Sequence, residues 1–191
     1  MPASPRPSST ELAAAQDATL PDLIRPGLRC LFVGINPGLW SAASGHHFGN
    51  PANRLWPTLH AAGFTPRRFL PADGDELLAL GLGITNLVSR ATATAAEISP
   101  AELRAGVPAL THLIERYRPA VVAFLAMTAY RVAFDRPKAV PGERNERLAG
   151  ARVWLLPNPS GLNASYQLPD LVRLYGQLHA ALDAVEPPGD A

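Results

Sequence analysis

Asn36, Asn86 and Asn158 each stand where a short apolar run ends, in Ile35-Asn36, Thr85-Asn86 and Pro157-Asn158. The first opens a long polar segment, 34–56, that carries Gly34, Pro37, Gly38, His46, His47, Phe48, Asn53, Arg54 and Trp56. A carboxamide holds and orients a water molecule without taking its proton, and a phenyl ring offers a face for stacking. Glycines leave backbone N–H groups open to a ligand. These ingredients suit a flat, uncharged heterocycle. Asn-Pro pairs also start ordinary turns, because Asn bonds its own backbone and Pro fixes φ. That reading accounts for Asn158-Pro159-Ser160-Gly161 taken alone better than for the long first segment.

Other chemistries find little support. Cys30 is the only cysteine and lies in an apolar run, so it reads as an inert core residue in a reducing, intracellular setting. A disulfide, a cysteine zinc site and an iron–sulfur cluster within the chain are excluded. His46 and His47 are adjacent, so on an extended segment their rings point apart and chelate poorly. No metal and no cofactor is expected. His47 is the better candidate for a pocket wall, with His46 in solvent; His60, His112 and His179 read as surface or packing residues. Lys138, the only lysine, falls in a polar stretch away from every apolar run. A Schiff base needs a positioned amine, so none is expected.

The elements that must position these residues alternate. Strands are predicted at 29–35, 82–85, 120–126 and 152–156, and helices at 53–62, 75–80, 100–117, 128–134 and 168–185. Ser99, Pro100 and Glu102 start the third helix as N-cap, first residue and capping-box partner. Pro57 delays or kinks the first. The alternation implies an α/β fold with a largely parallel sheet, a single domain over 21–185, loose tails at 1–20 and 186–191, and a surface loop at 135–150. At 191 residues, 47% apolar and 17% charged, the chain fits one soluble domain. No apolar run approaches the roughly 20 residues of a membrane span, and the first twenty residues lack the apolar core of a secretory signal. In open sheets of this kind the ligand crevice lies beyond the carboxyl ends of the strands, where the three asparagines converge.

Net charge is only +1. Residues 23–72 contain no acid but hold Arg25, Arg29, Arg54, Arg67 and Arg68, and 147–169 are also free of acids. Such a face would tolerate a phosphate backbone. Chance bias in an arginine-rich chain explains the same pattern, and alone explains it better.

The segment Gly34-Ile35-Asn36-Pro37-Gly38 with Phe48, Asn53-Arg54 and Trp56, followed by Asn158-Pro159-Ser160-Gly161, resembles the mismatch-specific uracil/thymine DNA glycosylases of the uracil-DNA glycosylase superfamily. Residues 83–90 also match a family segment. The likeness spans about 28–182 and implies a three-layer α/β/α sandwich around a short, largely parallel sheet. It implies a monofunctional glycosylase for double-stranded DNA that flips a mispaired uracil, or thymine, from opposite guanine and hydrolyses its N-glycosidic bond in base excision repair. By the same likeness Asn36 is the catalytic asparagine that positions water, Ile35 and Gly38 line the base pocket, and Phe48 stacks on the flipped base. Asn86 and Thr92 lie near base and water, and Asn158 belongs to the pocket. Ser160, Gly161 and Leu162 form the loop that enters the duplex, with Asn163 and Arg54 also on the DNA side. Ala164 stands where some members carry an arginine to the opposite strand, and Ser89 where acids are usual. Ser41 stands near C5 of the base, where uracil-preferring members tend to have serine, whereas Asn86 and His47 resemble the thymine-active branch. The expected partner is DNA, the expected state a monomer, and the setting cytoplasmic and nucleoid-associated if the source is bacterial.

Two other classes compete. A non-catalytic reader would flip and hold a base, but would not require a water-placing amide. A domain for a free nucleotide cofactor would need G-x-G-x-x-G or G-x-x-x-x-G-K-[ST] after the first strand, and neither is present.

Overall fold

Apolar runs buried on both faces become the central strands. β1 (Cys30–Gly34), β2 (Leu82–Asn86), β3 (Val121–Phe124) and β5 (Ala151–Leu155) pair in parallel, and β4 (Gly142–Leu148) runs antiparallel on the edge beside β5. The order across the five-stranded sheet is β2-β1-β3-β5-β4. The computed structural model describes residues 6–184.

Strand alternation sends successive side chains to opposite layers. Cys30 and Phe32 pack with Leu55 and Leu59 of α3 (Leu55–Ala61), Leu77 of α4 (Gly74–Ala79) and Leu171, Tyr175 and Leu178 of α7 (Leu168–Asp183). Leu31 and Val33 pack with Leu103, Leu110 and Ile114 of α5 (Pro100–Tyr117) and Tyr130 of α6 (Met127–Ala133). The result is the expected α/β/α sandwich. Cys30 is fully buried, and burial pushes its thiol pKa up, so no thiolate forms near neutrality. Ser99 caps α5 through the anticipated box, with the Glu102 N–H donating to Ser99 Oγ at 3.2 Å and the Ser99 N–H to Glu102 Oε2 at 3.0 Å. Pro57 sits in the first turn of α3, where its missing N–H has no helical partner to lose.

Three elements differ from the sequence expectation. The stretch 135–150 is not only loop: it contains β4, joined to β5 by a hairpin whose central residues, Ala149 and Gly150, both have positive φ, at 47° and 86°. That geometry belongs to Asn-Gly turns; alanine in the first place hides it, and the polar pattern of β4 gives no buried face. The segment 34–56 contains a short helix, α2 (Leu39–Ser44), closed by Gly45 in the left-handed region at φ 73°. The stretch expected as a loose N-terminal tail holds α1 (Ser9–Ala14), capped by Ser8 and Glu11 and packed on α2. The tail expected at 186–191 lies outside the described residues. No helix among the described residues is long and apolar enough to cross a membrane.

Candidate active site

The carboxyl ends of the parallel strands open into a cleft of about 950 Å³, walled by the segments after β1, β2 and β5 and by the start of α6. Asn36, Asn86 and Asn158 all line it, as do Ile35, Gly38, Ser41, His47, Phe48, Thr92, Ser160, Gly161, Leu162 and Asn163. Among the described residues the lining carries no carboxylate, no lysine and no cysteine. Lys138 is exposed and outside it.

The Asn36 amide has one possible orientation. Its Nδ2 donates to the carbonyls of Pro37 at 3.1 Å and Arg90 at 3.0 Å, and to Thr92 Oγ1 at 2.7 Å. Carbonyls only accept, so the end facing them is the NH₂. Thr92 Oγ1 gives its own proton to the Thr94 carbonyl at 2.8 Å, which leaves it a lone pair for Asn36. The donors of Asn36 are thereby consumed, and Oδ1 has no protein partner among the described residues. An acceptor so aimed takes a hydrogen bond from a water O–H and directs the water's lone pair elsewhere.

Gly34 lies where β1 meets the cleft. It pairs in register with Asn86 on β2. A Cβ at Gly34 would sit 2.5 Å from Asn86 Oδ1 and 3.4 Å from Phe48 Cζ. A side chain at Gly34 would displace that amide and crowd that ring at the strand end. Phe48 itself holds φ at 51°, a conformation costly for an aromatic residue and frequent at functional sites. Its carbonyl accepts from Trp56 Nε1 at 3.3 Å, and the neighbouring Gly49 N–H donates to Ser41 Oγ at 3.1 Å. Ser41 is buried and lines the cleft, but its hydroxyl also anchors the turn that carries the ring.

His47 is 4% exposed, and its Nε2 lies 2.9 Å from the Pro21 carbonyl, so Nε2 is the protonated nitrogen. Burial lowers its pKa below 6.5, against the smaller opposing pulls of the Pro21 carbonyl and Asp22. The ring is therefore neutral at pH 7 and Nδ1 is an acceptor. His46 is half-buried and outside the cleft lining. Trp40 lines the cleft, whereas Trp56 and Trp154 are core residues. No group of three potential metal ligands gathers among the described residues.

The second segment is a braced loop with an apolar tip. Asn158 Oδ1 accepts from the Ser160 N–H at 2.9 Å, Ser160 Oγ from the Leu162 N–H at 3.2 Å, and Asn163 Nδ2 donates to the Asn158 carbonyl at 2.9 Å. From below, the buried Tyr175 hydroxyl donates to the Pro157 carbonyl at 3.0 Å. A Cβ on Gly161 would lie 2.5 Å from the Ala52 carbonyl, so this glycine lets the two segments touch. Leu162, at the crest, is 91% exposed.

Arg54, expected on the DNA side, turns its guanidinium inward and donates to the carbonyls of Tyr166 at 2.9 Å, Asn163 at 3.0 Å and Ser160. Its backbone N–H also holds Pro159 O at 2.8 Å. It clamps the Leu162 loop to α3. Replacement by glutamine would release these carbonyls and is expected to loosen the loop. Two arginines of the acid-free stretch are neutralised locally. Arg29 pairs with Asp183 at 2.6 Å, and Arg67 with Asp73 at 2.9 Å and with Glu76, acids outside the stretch.

Arg131 on α6 was not anticipated. Among the described residues it is the only arginine lining the cleft, and Nε and Nη2 both donate to the Ala139 carbonyl, at 2.9 and 2.7 Å. Its place, one turn into the helix after β3, was the available signal.

The sequence model of the uracil DNA glycosylase superfamily matches residues 21–178. The fold is similar to the solution NMR structure of a Methanosarcina acetivorans protein proposed to be a uracil DNA glycosylase, with a TM-score of 0.62 at 17% identity, covering 87% of this chain and 98% of that one.

Proposed function

The chain belongs to the uracil DNA glycosylase superfamily, and from that premise we propose that it is a monofunctional glycosylase that excises uracil mispaired with guanine from double-stranded DNA. The observation that carries the reading is the Asn36 amide, fixed by three acceptors with its oxygen left free in a cleft without carboxylates. The base rotates out of the duplex and stacks on Phe48, with Leu162 in the space it leaves. The C1′–N1 bond breaks, and its electron pair leaves with the base. Water held on Asn36 Oδ1 adds to C1′ and its proton passes to the departing base anion, leaving an abasic sugar and free uracil. An amide accepts no proton, so the reaction depends on the leaving base, and slow turnover follows. Neutral His47 and the Asn86 amide offer hydrogen bonds to the edge of an uncharged base.

The preference for uracil rests on Ser41. Thymine adds one methyl group, and an apolar contact with one methyl is worth only about 1–3 kcal/mol. A buried hydroxyl desolvated against that methyl shifts preference by a similar amount. Single-turnover assays on duplexes with G·U, G·T and A·U, with single-stranded uracil beside them, test the proposal. Uracil opposite guanine is expected to be released fastest, and thymine slowly or not at all. Ser41→Ala is expected to raise the thymine-to-uracil ratio while lowering the uracil rate, since Gly49 loses its anchor beside Phe48. Removal of thymine as fast as uracil by the wild-type chain would overturn the preference; tight binding without base release would favour a reader.

A further inference from the structure

We propose that the N-terminal segment 6–20, which lies outside the superfamily match, is a positioning strap for the Asn36 amide. The match begins at residue 21. Ahead of it, α1 packs on α2, Leu12 reaches the cleft wall, Arg6 lies over the Trp40 ring at 5.8 Å, and Ala15 is buried. The chain then reverses at Asp17, whose φ is 60°. The Asp17 N–H donates to the Ala91 carbonyl at 3.0 Å, the Ala91 N–H to the Ala18 carbonyl at 2.8 Å, and Thr19 bridges Arg90 in antiparallel fashion. Arg90 adds an ion pair to Asp17 at 3.1 Å.

What the strap grips is the segment that grips Asn36. The Arg90 carbonyl and Thr92 Oγ1 are two of the three acceptors of the amide. From the other side this segment is tied through the Thr92 N–H to Pro37 O, the Leu39 N–H to Thr92 O, and Arg90 to Glu102 and to the Glu97 carbonyl at 3.1 Å. The strap fixes the height of residues 90–92, and so the direction of Asn36 Oδ1. The backbone bonds do this work, because an exposed ion pair such as Asp17–Arg90 contributes little.

The inference rests on Asn36 as the water-placing group, and the test separates the two. Ala18→Pro removes the N–H that donates to the Ala15 carbonyl at 3.1 Å and drives Asp17 out of its left-handed conformation. Single-turnover uracil release is expected to fall about ten- to hundredfold, with DNA affinity within about twofold and melting of the remaining fold preserved. Asp17→Gly keeps the positive φ and loses only the ion pair, so its rate is expected to stay within about threefold of wild type. Should Ala18→Pro unfold the whole chain, Asp17→Val, which strains the same residue alone, carries the comparison. A wild-type rate in the strap variants, or a loss confined to DNA affinity, overturns the strap. An Asn36→Ala variant that still cuts at the wild-type rate overturns the reading of the site instead.

Discussion

Asn36→Ala is expected to slow single-turnover base release by about 10²–10³-fold while changing DNA affinity by less than about twofold. Nδ2 is bound to the protein's own acceptors, so in the free enzyme the side chain offers DNA nothing but Oδ1. Removing it therefore subtracts little from binding, whereas the water loses the acceptor that sets its distance and angle to C1′. Asn36→Asp is the informative companion. It supplies a general base, which by itself would speed attack, yet it turns a carboxylate oxygen toward the carbonyls of Pro37 and Arg90, where an NH₂ is required. The aspartate either takes up a proton or leaves its place, and a slow variant is expected. Rates from excess-enzyme time courses and affinities from titration of uncut duplex decide the matter. A loss carried by affinity alone, or an alanine variant with most of its activity, would remove Asn36 from the reaction.

The sheet was legible because its central strands are buried on both faces and read as unbroken apolar runs, and α5 because its cap, proline and capping box agree. The three asparagines were legible as strand-end residues, and the structure brings them to one cleft. What escaped was set by contacts distant in sequence. Arg54 looks like any cation near a DNA-facing motif until the carbonyls of Ser160, Asn163 and Tyr166 are seen around it. Arg29 and Arg67 of the acid-free stretch look free until Asp183, Asp73 and Glu76 return to them. β4 has no apolar face to betray it, and its hairpin turns on an alanine where asparagine would have signalled the bend. Gly34 was visible as a glycine, but its reason, the Asn86 amide on the neighbouring strand, requires the register.

Leu162→Ala separates the wedge from the scaffold. At 91% exposure the side chain supports little of the fold, so thermal stability is expected to change by less than about 0.5 kcal/mol. Any loss of activity then arises on the DNA. Inserted between bases, the leucine would gain about 1.5–3 kcal/mol from burial, roughly a ten- to hundredfold effect on the flipped population. Flipping costs a few kcal/mol and least at a mispair. A G·U pair already opens readily, so once the extruded state dominates, part of the wedge's contribution no longer shows in the rate. An A·U pair stays in the stack and feels the whole loss. The alanine variant is therefore expected to lose about ten- to hundredfold on A·U and only a few-fold on G·U in parallel single-turnover assays. Because Arg54, Tyr175 and the Asn158 turn hold the loop backbone, the substitution leaves the loop in place, and the difference between the two substrates reports the side chain alone. Equal losses on both duplexes, or a lowered melting temperature, would mean that the exposed leucine does not enter the duplex.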